Sequence, residues 1–383
     1  MGNSLVIIFA DMFSTTAPLI LILSLFVTVV LLFYYLFFFA RLAFFKNKTV
    51  KVSSALPPLS TIVCAKNEQY NLEKNIPELL RQQYESPFEL LLVNDNSEDD
   101  TKHVMQWMSR DYLQLKVINM ERKNKESVGK KYPLSIGIRE AKHEHLLLTD
   151  ADCRPVSEQW AAKMASAYQP GIDIVLGYGP YEKQPGFLNK VIRFETFHAA
   201  LQYLSYALAG HPYMGVGRNL SYKKDLFTQH KGFASINHIP GGDDDLFISK
   251  AANPNNTAIM IDTDAYTVSV PPKTWAAWKH QKTRHYSTSK YYKLKHKFFL
   301  GLYSLSQFLF YPLLITAAVV YSWSIALAIL VIKSTIQYLI FSGAMKKLNE
   351  KDLVRWIFLM DLWMMVYYLM FANTLWKKEK KTW

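Results

Sequence analysis

The sequence predicts an α/β domain with a mostly parallel sheet, flanked by membrane-spanning helices at the two ends of the chain. Three observations support this. Short apolar runs alternate with helical patterns between residues 60 and 178. Apolar residues make up 50% of the 383 residues and concentrate at the two ends. An Asp-x-Asp pair follows a buried apolar run in the middle. Because strands that alternate with helices form βαβ units, a parallel sheet follows.

The first element is an apolar segment at residues 17–40 that contains no charged residue. It is long enough to cross a bilayer. A cleaved signal peptide is not favoured, because no Lys or Arg precedes the segment, the apolar run is too long, and no small-residue cleavage site follows. We therefore expect a retained N-terminal transmembrane anchor over residues 1–48.

Strands and helices are predicted to alternate within a middle domain at residues 49–297. The predicted strands are 60–65, 88–93, 115–119, 145–149 and 173–178, and the predicted helices between them are 71–83, 101–111 and 130–142. Polar residues follow the strands: Glu68, Asp95, Asp150 and Asp152. Because parallel strands end at one edge of a sheet, these side chains are expected to meet in one crevice. No glycine-rich loop follows a strand, so a dinucleotide-binding or P-loop site is not supported.

The residues Leu-Leu-Leu-Thr-Asp-Ala-Asp-Cys at 146–153 are the most informative stretch. The spacing of Asp150 and Asp152 lets both carboxylates reach one ligand from a strand end. Hard divalent cations such as Mg²⁺ and Mn²⁺ prefer such oxygen ligands. A solvated turn is the alternative for an isolated Asp-x-Asp pair.

A second acidic group, Asp243–Asp245, offers a general base, because like-charged neighbours and a low dielectric raise a carboxyl pKa. The alternative is a helix N-terminus that complements the helix dipole. Gly215–Asn219 is predicted to form a turn, to which the sequence assigns no role.

Three further apolar blocks, at about 298–320, 323–345 and 353–375, predict a C-terminal membrane domain over 298–383. Lys333, Arg355 and Asp361 make the last two blocks less typical of membrane spans. The formal net charge is +13, and residues 265–349 contain no Asp or Glu. Within that stretch, 273–297 mixes basic and aromatic residues, which indicates an interfacial segment beside anionic lipid. A nucleic-acid face is the less favoured alternative, and we expect no nucleic-acid partner.

Basic residues predict the orientation. Arg41, Lys46, Lys48 and Lys51 follow the first span, so the positive-inside rule places the middle domain in the cytosol. We expect an integral protein of a bacterial inner membrane. The basic tail at 376–381 disagrees with four complete crossings, which leaves three or four crossings open.

The polar motifs occur in an order that resembles a known family. They are Ala65-Lys-Asn-Glu68, Val93-Asn-Asp95-Asn-Ser97, Gly129-Lys130, Thr149-Asp150-Ala-Asp152, Gly242-Asp-Asp-Asp245-Leu and Gln281-Lys-Thr-Arg284-His285. The pattern resembles the family 2 glycosyltransferases with a GT-A fold over about residues 57–297. It is similar to their membrane-integrated branch, which includes the cellulose, chitin, hyaluronan and poly-N-acetylglucosamine synthases and ceramide glucosyltransferase.

The resemblance implies a role for each matching residue. The nucleotide-sugar donor would be bound by Ala65, Glu68, Asp95, Lys130, Asp150, Gln281 and Arg284. The first three would contact uridine, and Lys130 would lie near the phosphates. Asp152, together with Asp150, would hold Mg²⁺ or Mn²⁺. Matching the family's Glu-Asp pair to Asp243 and Asp244 makes Asp244 the catalytic base, with Asp245 as the alternative.

The implied activity is inverting, metal-dependent transfer of a hexose or N-acetylhexosamine from a UDP-sugar to a lipid or lipid-linked glycan. His285 stands where processive family members carry Trp, and the spans are few for a polymer channel. Both observations favour single additions over the alternative, processive polysaccharide synthesis. A non-catalytic membrane scaffold is a remote alternative, since it would be expected to have lost the acidic residues.

Overall fold

The computed structural model describes residues 2–46, 56–120 and 129–375, which fall into two units. One unit contains Met1–Phe44 and Lys293–Asn373, and the other contains Phe45–Tyr292. Lys48, Lys51, the predicted boundary at 48 and the basic tail at 376–381 lie outside the described residues.

Within the described residues, helices surround a sheet in the second unit and form the first unit almost alone. In chain order the α-helices are α1 Gly2–Phe33, α2 Ala40–Ala43, α3 Gln69–Leu80, α4 Thr101–Asp111, α5 Lys131–Glu140, α6 Trp160–Ser166, α7 Phe187–Leu208, α8 Lys224–Gln229, α9 Asp245–Ala251, α10 Trp275–Tyr286, α11 Leu294–Val320, α12 Trp323–Lys347 and α13 Ile357–Ala372. A π-helical segment, Tyr34–Phe39, joins α1 to α2. The three helices predicted in the middle domain correspond to α3, α4 and α5.

The strands of the second unit are β1 Leu59–Ala65, β2 Phe88–Asp95, β3 Leu115–Met120, β4 His145–Asp150, β5 Cys153–Pro155, β6 Ile174–Leu176, β7 Leu220–Lys223, β8 Thr257–Ile259 and β9 Thr267–Ser269. Seven of them form one sheet in the order β3-β2-β1-β4-β7-β6-β8, and β5 pairs with β9 in a second. The pairs β3–β2, β2–β1, β1–β4 and β6–β8 are parallel, whereas β7 is antiparallel to both its neighbours. The predicted α/β class and its mostly parallel sheet are confirmed.

The centre of this sheet is apolar on both faces. Every residue of β1 is buried, which explains why the strand reads as a continuous apolar run. A Cβ added at Gly137 of α5 would lie 2.8 Å from a side-chain carbon of Ile62 and 3.0 Å from one of Val93. The absence of a side chain there lets α5 pack directly on β1 and β2. Lys130 and Lys131, at the start of α5, thereby gain a fixed position beside the sheet edge.

The first unit contains helices long and apolar enough to cross a membrane: Ala17–Ala43, Leu294–Val320, Trp323–Lys347 and Lys351–Ala372. They match the four predicted spans. Two of the three charges that made these spans less typical are paired inside the unit, where Lys333 Nζ lies 2.5 Å from Asp361 Oδ2, and Arg355 is exposed. Gln307 and Gln337 each donate to Asp361 Oδ1 at 2.6 Å, so the buried carboxylate is satisfied from α11 and α12.

Candidate active site

Two loops at the carboxyl edge of the sheet are tied together after β1 and β2. Asn67 and Asn96 follow these strands with φ of 58° and 52°, a left-handed conformation that Asn tolerates better than most residues. The Asn67 amide donates to Ser97 Oγ at 3.0 Å, and the Glu98 amide donates to Asn67 Oδ1 at 2.8 Å. These bonds give the crevice a fixed wall.

The residues expected to contact the nucleoside lie along this wall. Ala65 ends β1 and is buried, and Asp95 ends β2 with 3% exposure. Glu68 precedes α3 and accepts a hydrogen bond from Asn71 Nδ2 at 2.6 Å. Burial raises the Glu68 pKa, and the charges of Asp152 and Asp150 raise it further. Glu68 therefore lies within electrostatic range of the Asp-x-Asp pair.

The Asp-x-Asp pair forms a candidate divalent-cation site. Ligand atoms of Asp150, Asp152 and Cys153 all lie within 4.8 Å of one another. Burial raises the Asp150 pKa, but the ion pair with Lys130 outweighs it and holds the pKa below its usual value. Burial and the Asp150 charge raise the Asp152 pKa. Asp152 is thus the carboxylate that gains most from an added cation.

Cys153 fits the cation less well than the carboxylates do. Burial and the nearby carboxylates raise the pKa of its thiol well above the ordinary value. The protonated Sγ donates to Asp152 Oδ1 at 3.2 Å. Because a thiolate, not a thiol, is the usual metal ligand, the two carboxylates with their hard oxygens remain the natural ligands for Mg²⁺ or Mn²⁺.

Asp244 accepts two backbone hydrogen bonds at the start of α9. The Gly217 amide donates to Oδ2 and the Asp245 amide donates to Oδ1, each at 2.7 Å. Burial, with the charges of Asp243 and Asp245, raises the Asp244 pKa to about 8. A carboxyl with this pKa is suited to accept a proton near neutral pH.

Both carboxylate oxygens of Asp245 accept hydrogen bonds from other residues of the chain. Its Oδ2 accepts hydrogen bonds from Thr288 Oγ1 at 2.5 Å and from the Tyr292 hydroxyl at 2.8 Å. Its Oδ1 accepts from the Leu246 amide at 2.7 Å. Asp245 is 7% exposed, whereas Asp244 is only half-buried. These contacts favour Asp244 over Asp245 as the base, although the role stays a prediction.

The helix α10 carries Gln281 and Arg284 and is docked by two polar contacts. The Tyr181 hydroxyl donates to Gln281 Oε1 at 3.1 Å. Lys282 forms a buried ion pair with Glu195 of α7. Arg284 is exposed, and its charge acts with that of Lys130 on the pKa of Asp150. The structure therefore brings Arg284, Lys130 and the Asp-x-Asp pair into one electrostatic neighbourhood.

Two cations of this neighbourhood, a buried lysine and a half-buried arginine, were missed by the sequence analysis. Lys131 is 2% exposed, and its Nζ donates to the carbonyls of Gly241, at 2.6 Å, and Ile239. It therefore holds the loop that precedes the acidic group. Arg218 lies in the predicted Gly215–Asn219 turn and adds positive charge near Asp150. The neighbouring Lys130 and the turn itself were the only sequence signals for these residues.

Comparison with known proteins agrees with this geometry. Residues 60–231 match the sequence model of the family described as Glycosyl transferase family 2. A mannosyltransferase of Pyrobaculum calidifontis, solved with GDP-Man and Mn²⁺, has a similar fold. Its TM-score is 0.57 at 18% identity, over 91% of this chain and 99% of that one. At this identity the likeness concerns the fold alone.

Three relatives of known sequence match parts of the chain. Glycosyltransferase AglE of Haloferax volcanii is 30% identical over 33% of this chain. A Bacillus subtilis protein named "Probable glycosyltransferase YdaM" is 26% identical over 63%. A beta-monoglucosyldiacylglycerol synthase of Nostoc is 29% identical over 28%. The chain spans 40%, 57% and 23% of their respective lengths.

Proposed function

We propose that this chain, which carries a family 2 glycosyltransferase domain of the GT-A fold, transfers a sugar from a UDP-sugar to a lipid or lipid-linked glycan at the cytosolic face of a membrane, with inversion. The observation that carries the proposal is the pair Asp150 and Asp152, which lies beside Lys130 in the same electrostatic neighbourhood as the acidic group Asp243–Asp245. A cation site, an anion site and a base are what such a transfer requires.

Donor binding is assigned to the two tied loops and the adjacent carboxylates. Ala65, Glu68 and Asp95 are proposed to contact the uridine, and Lys130 the phosphates. Asp150 and Asp152 would hold Mg²⁺ or Mn²⁺, which supplies Lewis-acid stabilisation of the departing diphosphate. Arg284 is proposed to stabilise the same negative charge, since its planar fork can donate two hydrogen bonds to a phosphate.

Acceptor activation is assigned to Asp244. Its raised pKa lets the carboxylate take the proton of the acceptor hydroxyl as that oxygen attacks the anomeric carbon. The bond to the diphosphate breaks on the opposite side of that carbon, so a single displacement inverts the anomeric centre. Asp243 raises the Asp244 pKa through its charge, and Asp245 holds the segment around Thr288 and Tyr292 in place.

A membrane-embedded acceptor is supported by three observations. Four helices are long and apolar enough to cross a membrane. The exposed side of α10 carries Trp275, Lys279, His280 and Arg284, a composition suited to a lipid headgroup region. One relative is named as a synthase of a glucosylated diacylglycerol. The cytosolic orientation and the bacterial inner membrane remain part of the proposal, based on the basic residues after the first span.

The test is a transfer assay on the full-length protein in nanodiscs. Labelled UDP-sugars, with GDP-mannose as a second donor class, are incubated with Mn²⁺ and extracted membrane lipids, and then with EDTA. We expect a discrete glycolipid on a thin-layer plate, lost in EDTA and in Asp244→Asn. A water-soluble product that grows with time would instead support the processive polysaccharide synthase, and no transfer from any donor would contradict the enzyme assignment.

A further inference from the structure

Arg218 places a guanidinium beside the Asp-x-Asp pair. β7 runs antiparallel to β4, and the pairing ends with Leu220 opposite Leu148, so Asp150 and Arg218 each lie two residues beyond the same end of the ladder. The Thr149 hydroxyl donates to the Arg218 carbonyl at 2.9 Å, which ties Arg218 to the end of β4. The guanidinium of Arg218 donates to Ser269, and Ser269 pairs with Cys153, the residue next to Asp152. Arg218 is therefore part of the same electrostatic cluster as both carboxylates.

The side chain of Arg218 is held along its length. A Cβ added at Gly179 would lie 2.8 Å from Cγ and Cδ of Arg218, so only glycine leaves room for the arginine there. Its Cζ lies 4.6 Å from the centre of the Tyr181 ring, and its Nη1 donates to Ser269 Oγ at 3.2 Å. Among residues 2–46, 56–120 and 129–375, no other acceptor binds its guanidinium. The group is pre-oriented, with donors left for a ligand.

The charges of the cluster indicate which ligand that is. The carboxylates of Asp150 and Asp152 are balanced by the cations of Lys130 and Arg218, and the further charges of Arg284 and Asp243 cancel each other. A divalent cation on the carboxylates would leave an excess of two positive charges. The diphosphate of a nucleotide-sugar carries one negative charge on each phosphate and restores the balance. Lys130 and Arg218 are half-buried, and an excess of positive charge at such a site favours an anion of this kind.

We propose that Arg218 donates hydrogen bonds to the diphosphate of the nucleotide-sugar, an inference that rests on the proposed function. The planar fork of arginine suits a phosphate group. As the acceptor oxygen bonds to the anomeric carbon, the bond from that carbon to the diphosphate breaks, and the proton passes to Asp244. The leaving diphosphate gains one negative charge in this step, which Arg218 stabilises.

The experiment measures three affinities of the full-length protein in detergent: for Mn²⁺ alone, for uridine, and for UDP with Mn²⁺. In Arg218→Gln we expect UDP to bind about 10- to 100-fold more weakly, the loss typical of a charged hydrogen bond. Uridine should bind as before. Mn²⁺ alone should bind more tightly, because a repelling charge is gone. These opposite changes separate a diphosphate contact from a loss of fold, which would weaken all three.

Two further variants complete the test. Arg218→Lys should leave Mn²⁺ binding unchanged and weaken UDP, because it keeps the charge but loses the fork. Arg139→Gln, an exposed arginine at the end of α5, should match the wild type throughout. Unchanged UDP binding in Arg218→Gln, or an equal loss of uridine and UDP, would overturn the inference. A wild type that binds neither UDP nor GDP would overturn the proposed function and this inference together.

Discussion

The proposed base gives the most detailed prediction, because the structure assigns Asp244 a pKa of about 8 from burial and the charges of Asp243 and Asp245. A base acts in its ionised form, so activity should rise as the pH increases through that value. A group with this pKa is ionised in about a tenth of molecules at pH 7 and about nine tenths at pH 9. We therefore expect kcat/KM to rise roughly tenfold between these pH values.

The assay is UDP release from the labelled donor between pH 6 and pH 9.5 at constant ionic strength. Asp244→Asn should lose at least about 10²-fold in rate while it still binds UDP, as expected for a missing general base. Asp243→Asn removes a like charge, which lowers the Asp244 pKa, so the rise should move to lower pH. Asp264→Asn, in the short helix Thr263–Ala265, is the control and should leave the profile unchanged.

Two results would refute this reasoning. One is a flat wild-type profile between pH 7 and pH 9. The other is an Asp244→Asn variant that keeps more than a tenth of the wild-type rate. If Asp245→Asn shows the large loss and Asp244→Asn stays active, Asp245 is the base.

Three further predictions concern the metal, the membrane topology and the hydrogen bond from Tyr292 to Asp245. Asp152→Asn should abolish most Mn²⁺-dependent UDP release, and full wild-type activity in excess EDTA would contradict the metal role. Leu113 is fully exposed and both native cysteines are buried, so a cysteine introduced at position 113 is the expected site of thiol labelling. If the middle domain is cytosolic, an impermeant thiol reagent should label this cysteine only after the membranes are opened. Labelling in intact cells would place the domain on the opposite side of the membrane. Tyr292→Phe should destabilise the second unit by about 1.5–3 kcal/mol, because buried Asp245 loses a hydrogen bond. Tyr291→Phe, at an exposed neighbour, should leave the melting temperature unchanged in the same thermal unfolding experiment.

Much of the fold was predictable from local pattern. The strands β1, β2 and β4 are buried throughout or nearly so, and therefore read as mostly apolar runs. The four long helices read as extended apolar segments, because a helix needs about 20 mostly apolar residues to cross a bilayer. The strands β5, β7, β8 and β9 were not predicted, because three or four residues show no usable periodicity. The sheet is mixed on the side that contains the unpredicted strand β7, because β7 runs antiparallel to both β4 and β6.

The order of the polar motifs likewise predicted which carboxylates would meet, because the ends of parallel strands share one edge of the sheet. Asp95 and the Asp-x-Asp pair are at the carboxyl ends of their strands as expected. The resemblance implied that Lys130 lies near the nucleotide or its phosphates, a role that stays a prediction, and in the structure Lys130 pairs with Asp150.

The sequence by itself thus determined the class of the fold, the membrane segments and the strand ends that carry the polar residues. Only the tertiary structure decided how neighbouring residues of one motif differ. Asp245 is held by Thr288 and Tyr292, 43 and 47 residues away, while Asp244 faces the Gly217 amide, 27 residues away. Arg218, just before β7, places its charge near Asp150 and Asp152, which lie at the end of β4 about 70 residues earlier in the chain. Such contacts join distant parts of the chain, so no local periodicity or spacing encodes them, and the pKa of a carboxyl depends on them through burial and neighbouring charge.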